Sequence, residues 1–172
     1  VSKSMEPAGT IIHLGAGRGH ALPDYLAANL NRIVLVEADP TRAGELGRLA
    51  EDHEQVEVIA AAATERDGTA TLQRYNLRDL NSLAAPTGVL ELLPGLRQTD
   101  SVEVDAIAVD SLLEREDLKP QQGNWLVIDT PGSEPAIINA LCQSDALSRF
   151  DRIELHCGRE PLFEGGKPAE EL

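Results

Sequence analysis

Short continuous apolar runs alternate with amphipathic segments along most of this chain. Residues 10–14, 33–36, 56–60 and 125–128 are mainly apolar runs of strand length, interrupted at Thr10, His13 and Glu57. Runs with so little polar interruption suit strands covered on both faces, as in a parallel sheet. Between them, Leu22, Tyr25, Leu26 and Leu30 fall on one helical face, with Pro23 suited to a first helical turn. Ala43, Leu46, Leu49 and Ala50 share a face in the same way and predict a helix over residues 41–52. Asp67-Gly68 marks a turn, and residues 69–75 alternate enough for a strand. The pattern dissolves over residues 76–99, where Pro86, Gly88, Pro94 and Gly95 predict a long irregular insert. Residues 101–109 then alternate like an edge or half-exposed strand. A short helix at 110–113, a helix at 134–147 with Ile137, Ile138 and Leu141 inward, and a last strand at 153–157 complete the series.

Strands and helices that alternate in this way predict a Rossmann-like, doubly wound α/β fold with a mostly parallel sheet, in three α/β/α layers with right-handed crossovers. The first unit is the most informative. Its strand runs into Gly15-Ala16-Gly17-Arg18-Gly19, and the second strand ends on Glu37-Ala38-Asp39-Pro40. Glycines at that turn let the backbone approach a ligand without a β-carbon in the way. An acid at the end of the second strand can accept hydrogen bonds from two ribose hydroxyls, and Glu37 comes 22 residues after Gly15, near the usual interval of about 20. Gly15, Ala16, Gly17, Gly19, Glu37 and Ala38 are therefore the candidate cofactor-binding residues. The glycine spacing is G-x-G-x-G, and His20 stands where a dinucleotide fingerprint carries its third glycine. That disfavours NAD.

The chain has 172 residues, enough for one domain over 1–172, and it is 42% hydrophobic but only 3% aromatic. Its core must be built mainly of aliphatic side chains. A net charge of −14 argues against nucleic-acid or anionic-membrane partners. Cys142 and Cys157 do not make a disulfide framework, and the scattered histidines give no metal site. With no signal peptide or membrane-spanning run, a cytoplasmic location is expected. The sequence begins at Val1 and ends on a polar tail, and it reads as a piece of a longer chain.

Taken together, these blocks resemble the FkbM-type methyltransferases, which use S-adenosylmethionine and mostly methylate hydroxyls. The likeness extends over nearly the whole chain. Gly15-Ala16-Gly17-Arg18-Gly19 stands where the family has Gly-Ala-Asn-x-Gly, and Glu37-Ala38-Asp39-Pro40 stands at its second-strand Glu-Pro block. Ala60-Ala61-Ala62-Ala63 lines up with an Asn-Ala-Ala-like stretch, Ser82 with a serine of the middle loop, and Val109-Asp110-Ser111-Leu112 with Leu-Asp-x-Leu. Val127-Ile128-Asp129-Thr130-Pro131-Gly132-Ser133-Glu134 stands at the family's Lys-Ile-Asp-Val-Glu-Gly-x-Glu. Val127 replaces the lysine, Pro131 replaces the first glutamate, and His13 sits where many methyltransferases carry an acid. The family usually adds closing strands beyond the point where this sequence ends. A sheet without them would expose an edge, through which self-association is expected.

The resemblance implies S-adenosylmethionine as cofactor and a small-molecule or carbohydrate acceptor held by the 76–99 insert, with Arg74, Arg78 and Arg97 nearby. Asp129 and His156 end strands at the cofactor edge. They are the candidate catalytic residues, for orienting or deprotonating a hydroxyl. Asp39 reads as a helix N-cap. His13 reads as a buried structural histidine, His20 and Arg18 as solvated loop positions. A second reading, carried by Val127 and Pro131, is a catalytically degenerate methyltransferase-fold module that serves binding or assembly in a larger protein.

Overall fold

A computed structural model describes residues 8–172; Val1, the sequence's first residue, lies outside them. Five strands make the main sheet, in the order β3-β2-β1-β7-β8, and every pairing in it is parallel. They are β1 (Ala8–Leu14), β2 (Leu30–Glu37), β3 (Val56–Ala60), β7 (Trp125–Ile128) and β8 (Arg152–Leu155). The predicted α/β fold with a parallel sheet is the observed one. Ile11, Ile12, Leu14, Ile33, Val34, Leu35, Val36, Leu126 and Ile128 are buried, as strands covered on both faces require. One apolar layer packs Ile12, Leu14, Val36 and Ile128 against Leu112, Leu113, Ile137 and Leu141. Those partners belong to helices α4 (Val109–Arg115) and α5 (Glu134–Gln143). The other layer packs Ile11, Ile33, Leu35 and Val127 against Leu22, Tyr25 and Leu46, from α1 (Leu22–Ala27) and α2 (Pro40–Ala50).

A second, three-stranded sheet stands beside the first. It joins β4 (Ala62–Thr64), β6 (Gln98–Ala108) and β5 (Gly68–Tyr75) in the order β4-β6-β5, parallel on one side and antiparallel on the other. The half-exposed pattern of β6 is as the sequence suggests, but the strand is central in this small sheet rather than an edge.

Three other local expectations are corrected. Helix α1 stops at Ala27, because Asn29 adopts a left-handed conformation (φ +54°) and Leu30 already opens β2; asparagine tolerates that conformation better than most residues. Helix α5 ends at Gln143, before the left-handed Asp145, and a 3-10 turn at Ala146–Arg149 follows. The 76–99 segment is not irregular throughout. It contains a 3-10 turn at Arg78–Leu80, helix α3 (Gly88–Leu92) and the start of β6, and it is packed through Tyr75, Val89, Leu96 and Phe163.

The edge strand β8 has four residues and carries Arg152 and Glu154. Short, charged edges limit pairing with another chain. No helix among the described residues is long and apolar enough to cross a membrane.

Candidate functional site

All five main strands point their carboxyl ends to one side, and β1 hands the chain to the glycine turn there. Gly15 has φ +81°, and a β-carbon on it would collide with the Asp129 carbonyl. The backbone of Gly15 and Ala16 donates to the Val36 carbonyl at 2.9 and 3.0 Å, and Asp129 N–H donates to the Leu14 carbonyl at 2.9 Å. The ends of β2, β1 and β7 are thus tied edge to edge, with the turn held between them.

Glu37 ends β2 and is buried. Its carboxylate accepts from Gly17 N–H at 2.7 Å and from Asp39 N–H at 2.8 Å. Burial pushes its pKa up, and the two N–H donors oppose that. Asp39 caps α2, as expected, by accepting from Thr41 N–H at 2.9 Å. Its second oxygen accepts from Asn81 Nδ2 at 3.1 Å, and Arg74 approaches the same oxygen at 3.5 Å.

A cleft of about 380 Å³ opens over these groups, within the size range of small-molecule sites. Gly15, Ala16, Gly17, Glu37, Ala38, Asp129 and His156 all line it. Every sequence-predicted site residue but one is therefore gathered there. The exception is Gly19, which is held against Leu46 of α2, where a β-carbon would strike the leucine side chain. Beside Glu37, the alanines 38, 61, 62 and 63 with Leu72 and Leu83 give the cleft an apolar wall. Asn81 lines the cleft as well; its Nδ2 donates to Asp39 and its Oδ1 accepts from Tyr75 N–H at 2.9 Å.

The other end of the cleft is polar. His156 lies between two carboxylates, Nδ1 3.1 Å from Asp129 Oδ2 and Nε2 3.1 Å from Glu154 Oε1. The hydrogen bond to Glu154, with that to Asp129, holds the His156 pKa above its ordinary value, and Glu154 is lowered in return. When protonated, His156 donates to both carboxylates, one through each ring nitrogen. Glu154 was not evident from the sequence; it lies in β8, two residues before His156, which follows the strand's last residue. Arg42 was also missed. It is buried under the cleft, with Nη2 2.7 Å from Asp79 Oδ1.

A buried polar atom without a partner costs about 1–3 kcal/mol. Among the described residues, His13 Nε2, Thr130 Oγ1, Arg42 Nε and Arg74 Nε are such atoms, and the first three belong to residues that line this cleft.

A second cleft of about 290 Å³ adjoins the first and shares Asp129, Pro131 and His156 with it. Leu80, Leu162 and Phe163 give it apolar walls, and Glu134, Glu160 and Lys167 add charge. Glu134 is buried, which raises its pKa. Ser82 joins the insert to the Asp129 turn: its hydroxyl donates to the Pro131 carbonyl and accepts from Ala84 N–H at 3.0 Å. The insert supplies Arg78, Asp79, Asn81 and Leu83 to the first cleft but only Leu80 to the second. Arg74 is paired with Asp39 and Asp100, and neither Arg74 nor Arg97 lines these two clefts.

No family model matches the chain, and no curated protein matches it. Among solved structures it is similar to the methyltransferase FkbM from Methylobacillus flagellatus KT, with a TM-score of 0.50 and 14% identity. The chain shares that fold. The match covers 85% of this chain and 32% of the other, so this chain spans about a third of its neighbour's length. At this identity the likeness speaks for architecture; chemistry has to be argued from the residues.

Proposed function

We propose that this domain is an S-adenosylmethionine-dependent methyltransferase of FkbM type that methylates a hydroxyl of a small molecule or sugar. The observation that carries the reading is the first cleft, where the glycine turn, the Glu37 carboxylate and the Asp129–His156 pair meet at one sheet edge. The methyltransferase fold agrees with it. The residues fit the cofactor. Each Glu37 oxygen accepts one backbone N–H and has a further lone pair for a ribose hydroxyl. The apolar wall of Ala38, Ala61, Ala62 and Leu72 suits a nucleobase, and the unpartnered polar atoms at the cleft suit a polar ligand.

When bound, S-adenosylmethionine supplies an electrophilic methyl carbon on a sulfonium sulfur. The chain's task is to align an acceptor oxygen with that carbon and to remove its proton. The second cleft meets the first at Asp129, so an acceptor held there presents its hydroxyl to that carboxylate. His156 holds Asp129 Oδ2 through Nδ1 and is itself held by Glu154 through Nε2. Asp129 Oδ1, which His156 leaves free, would take the proton of an acceptor hydroxyl.

Transfer of labelled methyl from S-adenosylmethionine to a panel of small hydroxyl and sugar acceptors tests the proposal. Wild-type turnover of at least one acceptor, reduced about 100-fold or more in Asp129→Asn with S-adenosylhomocysteine binding retained, is the expected result. Equal turnover by Asp129→Asn would remove the carboxylate from the mechanism.

A further inference from the structure

The second cleft carries a negative charge that no cation of the described residues answers. Glu134 opens α5 just beyond the Asp129 turn and lines this cleft, yet it is only 7% exposed. Its carboxylate is met by its own N–H and by that of Gly132, and the charge that acts on it from outside is that of Asp129, another acid. Two backbone donors leave lone pairs free on its two oxygens. A buried carboxylate without a counter-charge is costly to hold. Glu160 lines the same cleft and adds a further carboxylate. Of the cleft's two basic side chains, His156 is already engaged by Asp129 and Glu154. Lys167 is exposed and is not among the groups that act on Glu134. The turn that carries Glu134 is packed on the cleft's apolar wall: Gly132 has φ +84°, and a β-carbon on it would strike Phe163.

We propose that the acceptor is a small hydroxylated amine, an amino sugar or amino alcohol, whose ammonium group is held by Glu134 while its hydroxyl meets Asp129. The inference rests on reading the second cleft as the acceptor site of a methyltransferase, and it narrows that site to cationic acceptors. Asp129 follows the end of β7 and Glu134 begins α5, so the two carboxylates stand at the two ends of one short turn. A single small molecule can meet both. An ammonium supplies the counter-charge that Glu134 lacks, through charge-assisted hydrogen bonds stronger than a neutral hydroxyl makes. Neutral hydroxyl compounds leave the buried charge uncompensated, and anionic ones are repelled by Asp129, Glu134 and Glu160. At about 290 Å³ the cleft is at the small end of ligand sites, and Leu80, Leu162 and Phe163 cover a carbon skeleton there. The chain's net charge of −14 favours the approach of a cation.

The test measures labelled-methyl transfer to matched acceptors: glucosamine against N-acetylglucosamine and glucose, and aminocyclohexanol against its N-acetyl form and cyclohexanediol. Wild type and Glu134→Gln are compared after circular dichroism shows them folded, and S-adenosylhomocysteine is titrated into both. Wild type is expected to methylate at least one amine, on its oxygen, with kcat/KM about tenfold or more above the neutral counterparts. Glu134→Gln is expected to remove that preference, chiefly through KM, with S-adenosylhomocysteine binding retained. Neutral acceptors used as well as amines, a preference kept in Glu134→Gln, or methyl transfer to nitrogen overturns the inference. So does a wild type that binds S-adenosylhomocysteine but methylates none of the amines; the donor-site reading stands in each of these cases. A folded wild type that does not bind S-adenosylhomocysteine overturns the donor-site reading, and this inference with it. Should Glu134→Gln fail to fold, the wild-type comparison of amines with their neutral counterparts decides.

Discussion

At the scale of single residues, burial and pairing set the protonation states. His13 is neutral because it is buried, and its pKa falls from 6.5 to about 4. Between those values the unfolded chain binds a proton that the folded chain does not. Its contribution to stability is therefore complete above pH 6.5 and is lost as pH falls towards 4, by on the order of 3 kcal/mol. Urea unfolding of wild type and His13→Gln across this window should show a shallower acid-side loss in the variant; parallel curves would mean that His13 is not what titrates. His156 has the opposite sign. Its pKa is raised by Glu154 first and Asp129 second, so its pairing stabilises the fold below pH 6.5 and that benefit fades as pH rises through the folded value. Proton NMR titration should place His156 above 6.5 in wild type and lower it in Glu154→Gln, whereas an unchanged midpoint would contradict the pairing. Glu37 was legible in the sequence because strand-end acids follow glycine turns at a regular distance. The Glu154–His156–Asp129 chain was not, because it depends on β8 lying beside β7, which no local pattern states.

At the scale of elements, the glycines separate by what surrounds them. Gly15 is forced by its left-handed backbone and by the Asp129 carbonyl beside it. Gly44 and Gly47 lie in α2 with open space where a β-carbon would stand. Gly44→Ala should therefore stabilise the protein by about 0.4–1 kcal/mol, while Gly15→Ala should destabilise it by more than about 2 kcal/mol. Denaturant midpoints check both, and equal shifts would contradict the distinction. The strand–turn–helix order was readable from hydrophobic runs. The early stop of α1 was hidden, since Leu30 sits at the right interval for a helical face and at the first position of a strand. Only the left-handed Asn29 decides between them. The segment 76–99 looked irregular because its order comes from contacts with Tyr75 and Phe163 rather than from its own periodicity.

Across the whole molecule, the parallel sheet could be inferred from the apolar runs, but its companion sheet could not. β5 and β6 pair residues far apart in sequence, Gly68 with Ala106 at one end and Tyr75 with Gln98 at the other. That hairpin encloses the insert, which reaches back to the first cleft. The result is two adjoining clefts joined at Asp129 and His156, a geometry suited to a donor and an acceptor that must meet. The central claim is that the first cleft is a methyl-donor site. Calorimetric titration of S-adenosylhomocysteine into wild type and Glu37→Ala, with NAD as control, tests it most directly. Micromolar binding by wild type, lost in Glu37→Ala and absent for NAD, is the predicted result. A folded wild-type protein that binds neither compound, or binds NAD in preference, would contradict the account.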